Sequence, residues 1–116
     1  MRFSTAVTAI IILSGLPVAA MAQSKGIRLW NLTSATMTGF QLSPAGQNNW
    51  GPNQTLNDKD KELDHDERLK LTGVEPGRYD AKVSYADDRQ CIVRGLDIKA
   101  DAVVSVADKD LRECTK

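Results

Sequence analysis

The sequence has neither an excess of charge of one sign nor many aromatic residues, and each of these features is typical of certain functional classes. It has 15 basic and 15 acidic residues among 116, so its formal net charge is zero. Proteins that bind nucleic acid or an anionic membrane surface usually carry a basic excess, so we expect neither partner. Aromatic residues make up only 5% of the chain. Few aromatic side chains therefore remain for a binding surface once the core has been filled.

Long apolar runs are also missing, except near the amino terminus. Arg2 precedes an apolar run over residues 6–16, and Ala-Met-Ala at 20–22 offers small residues at a cleavage point. The run is shorter than the roughly 20 residues that a membrane-spanning helix needs. We predict a secretory signal peptide at residues 1–22, cleaved before Gln23. Residues 23–116 would then be a single periplasmic or secreted domain with no membrane span.

Histidine and cysteine are scarce, with one His and two Cys. No second cysteine pair or neighbouring histidine suggests a zinc site. In an exported chain two cysteines usually form a disulfide, so Cys91 and Cys114 are predicted to be bonded. Closing this loop would stabilise so small a domain by about 3 kcal/mol.

The remaining pattern is that of strands, because apolar residues recur with period two between turn formers. In the clearest strand, residues 78–85, Tyr79, Ala81, Val83 and Tyr85 alternate with polar residues. Further strands are predicted at 26–32, 36–42, 68–74, 90–98 and 102–107. We predict an all-β fold, a small antiparallel β-sandwich of about six or seven strands, with an open barrel as the alternative. The first two strands should form a hairpin, and Trp30 and Tyr79 should belong to the core.

Three stretches occur in a recognisable order: SPAGQNNWGPNQTL at 43–56, GVEPGRYDAKV at 73–83 and CIVRGLDI at 91–98. They resemble a family of small exported proteobacterial proteins with Ser-Pro-x-Gly, Trp-Gly, Gly-x-Tyr-Asp and Cys-x-x-Arg-Gly-x-Asp motifs. The resemblance covers roughly residues 27–98. It implies an exported β domain and adds no catalytic residue. Where family members commonly have a second cysteine directly after the Arg-Gly strand, this chain has Lys99.

The most charged segment, residues 57–70, places five carboxylates at alternate positions: Asp58, Asp60, Glu62, Asp64 and Asp66. Such oxygen density suits hard cations such as Ca²⁺. The EF-hand spacing nevertheless fails, since Leu63 stands where a loop starting at Asp58 needs glycine. Interleaved Lys and Arg side chains would also weaken a cation site. We favour a solvated charged segment and keep these five residues as weak metal candidates.

His65 is the only histidine and lies between Asp64 and Asp66. A general acid or base oriented by one of these carboxylates is conceivable. No nucleophile is identified beside it, and both cysteines are predicted to be oxidised. We therefore assign no catalytic residue and expect no cofactor.

One loop combines turn formers and amides with a tryptophan. Pro44, Gly46, Gly51 and Pro52 bracket Trp50, which favours a loop of fixed shape over a flexible tether. We predict that Trp50 covers one end of the core, because burying a large apolar side chain is favourable in so small a domain. The amides of Gln47, Asn48, Asn49 and Asn53 would then face a partner, and Trp50 itself is the alternative binding residue.

Taken together, these features favour an exported, non-enzymatic binding or envelope-associated accessory module. Its partner would be an unidentified protein or envelope ligand. The alternative is a periplasmic protein that binds a divalent cation through residues 58–67. A hydrolase that uses His65 is the third hypothesis.

Overall fold

The computed structural model describes residues 25–116. The predicted signal peptide at 1–22 and the predicted cleavage before Gln23 lie outside these residues. Seven strands and two short 3-10 helices follow one another along the described chain. The strands are β1 Arg28–Leu32, β2 Met37–Pro44, β3 Arg68–Lys70, β4 Gly77–Tyr85, β5 Gln90–Ile98, β6 Val103–Ala107 and β7 Arg112–Thr115. The 3-10 helices are Gln54–Asn57 and Asp108–Asp110.

The strands form two sheets, as the period-two pattern predicted. One sheet has the order β3-β1-β6 and the other the order β2-β4-β5-β7. All neighbouring strands are antiparallel except β1 and β6, which are parallel. The predicted all-β sandwich is confirmed.

The predicted hairpin between the first two strands is wrong, because β1 and β2 lie in different sheets. A buried polar cluster shapes the crossing between them. The Asn31 amide donates to the carbonyls of Ala35 and Leu63 at 3.0 and 2.9 Å, and its oxygen accepts the N–H and O–H of Thr33. These bonds satisfy buried backbone groups of the connection and join it to Leu63 where the chain passes from one sheet to the other.

The core lies between the two sheets, where apolar residues of alternate positions meet. On β4, Ala81 and Val83 are fully buried and Tyr85 is nearly so, which confirms the predicted apolar face. Tyr79 packs against the margin of this core, and its hydroxyl donates to the carbonyl of Glu75 at 2.7 Å. The largest fully buried apolar side chains are Phe40, Leu29, Met37 and Leu63.

Trp30 is outside the core, so the prediction that it is a core residue is wrong. The guanidinium carbon of Arg68 lies 4.0 Å from the centroid of its ring system, and its indole N–H donates to the Asp66 carboxylate at 3.0 Å. Leu29 and Asn31, its neighbours along β1, are fully buried instead. Because successive side chains point to opposite faces, Trp30 lies on the outer face of the three-stranded sheet.

Cys91 and Cys114 form a disulfide, as predicted. The bond links β5 to β7, the last strand of its sheet. Every residue of β7 is exposed, so this strand contributes little apolar burial of its own. The disulfide is therefore a covalent restraint that acts with the strand pairing and the ion pair between Arg94 and Glu113 to keep β7 beside β5.

Candidate functional site

The segment 45–53 is a loop that folds back along the outer edge of β2. The Gly51 N–H donates to the Leu42 carbonyl at 2.8 Å, and the Gln41 amide donates to the Gly51 carbonyl at 3.0 Å. The Asn49 N–H donates to the buried Ser43 hydroxyl at 2.8 Å. The loop is thus fixed by its backbone, which leaves the side chains at its tip available.

A buried carboxylate holds the base of the loop. Asp80 is only 3% exposed, although the alternation of β4 places it on the polar face. It accepts the Gly46 N–H at 2.8 Å, the Gly95 N–H at 3.1 Å and the Arg94 guanidinium at 3.0 Å. These bonds, the Gly46 N–H foremost, lower the pKa of Asp80 below its ordinary value against the opposing effect of burial.

Arg94 extends this network to the last strand. Its Nε and Nη2 donate to the two carboxylate oxygens of Glu113 at 3.0 Å each, so the pair is bidentate. The Arg94 guanidinium lowers the pKa of Glu113 mainly through this hydrogen bond. The Asp80 network therefore connects the loop with β5 and β7.

Asn53 does not lie with the other amides of the loop. Its side-chain oxygen accepts the N–H groups of Phe40 and Thr55 at 3.0 Å each, and its amide donates to the Thr38 carbonyl at 3.1 Å. It is half-buried and caps the 3-10 helix Gln54–Asn57. The predicted place of Asn53 among partner-facing amides is therefore corrected to an internal, loop-holding position.

The remaining amides form an exposed tip that we call the amide rim, defined as Gln47, Asn48 and Asn49. All three residues are exposed. Among the described residues, no hydrogen bond to their side-chain amides is found. Asn48 has φ of 50°, a left-handed conformation that asparagine tolerates better than most residues. The rim thus presents donors and acceptors on a backbone of defined shape.

Trp50 lies beside the rim and does not cover the core. It is half-buried, and the Lys82 ammonium lies 5.0 Å from the centroid of its ring system. Lys82 alternates with the buried Ala81 and Val83, so it projects from the outer face of the four-stranded sheet. The predicted inward orientation of Trp50 is wrong, because the loop returns along the edge of β2 and delivers the ring to the outer face.

The acidic segment does not assemble a metal site in the described part of the chain, where no group of three or more His, Cys, Asp or Glu side chains is placed to hold an ion. Three of its five candidate carboxylates have separate structural partners. Asp58 accepts the Asp60 N–H at 2.8 Å, Asp64 accepts the Thr36 hydroxyl at 2.8 Å, and Asp66 accepts the Trp30 indole. Glu62 is exposed on the same segment.

His65 is tied to the crossing between the two sheets. Its Nδ1 lies 2.8 Å from the carbonyl of Thr33. A carbonyl only accepts, so Nδ1 carries the proton and donates to it. The ring is thereby oriented by a backbone group and not by Asp64 or Asp66, and its role in this contact is structural.

No family model matches the chain, and no curated protein or solved structure matches it significantly. The resemblance to the exported β family therefore stays a prediction. Within residues 25–116, none of the helices has the length and apolar character that crossing a membrane requires.

Proposed function

We propose that this protein is an exported, non-enzymatic binding module that contacts a protein or envelope ligand through the amide rim and Trp50. The observation that carries the proposal is the contrast between the fixed backbone of the loop and its exposed tip. Buried groups, above all Asp80 and Ser43, hold the loop. The side chains of the rim take no part in holding it.

This arrangement favours binding because the backbone of the loop is already ordered before a partner arrives. Ordering a flexible segment on binding costs free energy, and a preorganised loop avoids most of that cost. Amide side chains both donate and accept hydrogen bonds, which suits an uncharged polar surface. Trp50 and Lys82 beside them add a flat apolar ring and a cation.

The proposal is tested by photo-crosslinking in the envelope fraction of the producing cell. A benzophenone amino acid is placed at Asn48, and the matched control places it at Lys59, which is exposed on a different segment. We expect a discrete crosslinked partner from position 48 and none from position 59. Identical products from both positions would contradict the proposal.

A second variant separates the side chains of the rim from the shape of the loop. Asn48→Gly removes the amide and keeps the left-handed backbone accessible, and Asn49→Ala leaves its N–H bond to Ser43 in place. We expect the double variant to retain wild-type stability. It should also lose the crosslink that forms when the benzophenone amino acid is placed at position 50. A retained crosslink would show that the rim does not bind.

A further inference from the structure

The edge of β6 is less protected than the other sheet edges. In the described residues β6 has one neighbour, β1, and its second edge is open. Proteins usually shield such edges with charged residues, proline or a covering loop. The edge strand β3 carries Arg68 and Lys70, and β2 is covered by its loop. The sequence of β6, VVSVA, contains neither a charge nor a proline.

Three residues of β6 direct their backbone groups to this open edge, and one of them is already bound within the domain. The Arg28 N–H donates to the Ala102 carbonyl at 3.0 Å, and Arg28 is aligned with Val103. In a parallel ladder, alternate residues face the neighbouring strand, so Val104 faces β1 while Val103 and Ser105 face away. The Ala107 N–H also faces away and is bound by the Asp110 carboxylate at 2.9 Å. The edge available for pairing therefore extends from Val103 to Ser105.

A cleft of about 490 Å³ opens beside this edge, within the size range of ligand sites. Ser105 forms one wall, Arg94 and Leu96 of β5 another, and Lys109 and Arg112 flank them. The Nη1 of Arg112 donates to the carbonyls of Lys109 and Leu111 at 2.7 and 3.0 Å. Among the ion pairs of the described residues, none involves Arg112. Asp110 also lines the cleft, but its carboxylate binds the Ala107 N–H and the Lys109 ammonium. Among the described residues, the oriented guanidinium of Arg112 thus has no carboxylate partner.

We infer that β6 is a strand-addition site for an extended peptide of a partner protein that carries an acidic side chain. The peptide pairs with the backbone of Val103 and Ser105, and its carboxylate reaches Arg112. Main-chain pairing supplies affinity in this mode of recognition, and the side-chain contact supplies specificity. The site is separate from the amide rim and extends the proposed binding function to a second surface.

A second copy of this chain fits the site less well. If a second copy paired through its own β6, the acidic residues that flank that strand would supply the carboxylate for Arg112, and each already has a structural partner. Asp101 accepts the Gly26 N–H at 2.9 Å, Asp108 accepts the Ser34 N–H at 3.0 Å, and Asp110 binds Ala107. A partner peptide brings its own carboxylate and disturbs none of these contacts.

The test uses two fluorescein-labelled peptides, acetyl-Thr-Val-Thr-Glu-Val-Thr-amide and the same peptide with Gln in place of Glu. Fluorescence anisotropy should show that the wild-type protein binds the Glu peptide about tenfold more tightly, as expected for a charged hydrogen bond. Arg112→Gln should make the two affinities equal. Equal affinities in the wild type, or no binding of either peptide, would overturn the proposal.

The edge itself is tested with Ser105→Pro and its control Ser105→Thr. Proline removes the outward N–H and leaves the ladder to β1 intact, whereas threonine keeps the N–H. We expect Ser105→Pro to lose both peptides and Ser105→Thr to bind as the wild type does.

Should the proline variant fail to fold, amide hydrogen exchange of the wild-type protein tests the same edge. The Glu peptide should protect the Val103 and Ser105 amides, and unchanged exchange there would refute strand addition. A wild-type dimer in sedimentation equilibrium that Ser105→Pro abolishes would assign the edge to a second copy and overturn the inference.

Discussion

The carboxylate of Asp80 accepts the backbone N–H of Gly46 at 2.8 Å and joins the middle of β4 to the base of the loop. The same side chain accepts the Gly95 N–H and the Arg94 guanidinium. Three donors thus converge on one buried carboxylate. The shape of the loop that carries the amide rim depends on this charge.

We expect Asp80→Asn to destabilise the fold by about 2 kcal/mol, because an amide nitrogen would face N–H donors that need an acceptor. The effect is measured by urea unfolding monitored by circular dichroism. Asp97→Asn is the matched control, since Asp97 is exposed and forms a surface ion pair with Lys99. An Asp80→Asn variant as stable as this control would mean that the network does not hold the loop.

The lowered pKa of Asp80 predicts a specific dependence of stability on pH. The folded pKa lies below the unfolded value of about 3.9, so the unfolded state binds the proton more readily between the two. The stabilisation is complete above the unfolded pKa and is lost as pH falls through the folded pKa. Chemical unfolding at several pH values between 2 and 6 measures this. The free energy of unfolding should fall more steeply with decreasing pH in the wild type than in Asp80→Asn. Parallel curves would argue against this coupling.

Trp50→Ala should cost only about 1 kcal/mol, because the ring is half-buried and its contact with Lys82 is of the exposed cation–π kind. Phe40→Ala is the comparison, since Phe40 is fully buried and its truncation should cost about 3–5 kcal/mol. Both values come from equilibrium unfolding. If Trp50→Ala lowered the free energy of unfolding as much as Phe40→Ala does, Trp50 would be a residue that covers the core.

Replacing Cys91 and Cys114 together by serine should lower the free energy of unfolding by about 3 kcal/mol. The exposed strand β7 should lose amide protection first, because none of its residues is buried and the disulfide is its covalent link to β5. Hydrogen exchange followed by mass spectrometry localises the change. Uniform loss of protection over all strands would indicate instead that β7 unfolds only with the whole domain.

Calcium should leave the melting temperature unchanged. Specific binding to the folded state raises the melting temperature, whereas nonspecific screening around a charged segment does not depend on one cation. The carboxylates of Asp58, Asp64 and Asp66 have separate partners. Melts in Ca²⁺, Mg²⁺ and EDTA at matched ionic strength measure this, and a shift caused by Ca²⁺ alone would revive the cation-binding hypothesis.

The sequence determined those features that depend on near neighbours along the chain. Alternation of Ala81 and Val83 with polar residues identified β4 and its buried face, because side chains in a strand alternate by geometry. Residues 86–89, rich in the turn former Asp, join β4 and β5 as consecutive antiparallel strands. The two cysteines left one possible pairing, which the structure contains.

Tertiary structure alone decided which strands pair and which face of each lies inward. β1 and β2 look like a hairpin in sequence, yet they lie in different sheets, and the buried bonds of Asn31 hold the crossing between them. Both faces of β1 carry apolar residues, so alternation could not show that Leu29 is buried and Trp30 is not. Asp80 looked solvent-facing because its burial requires Gly46, 34 positions away, to fold over it. Local periodicity specifies which side chains share a face. Packing between distant segments decides which partners cover that face, and the local periodicity of a strand contains no information about those segments.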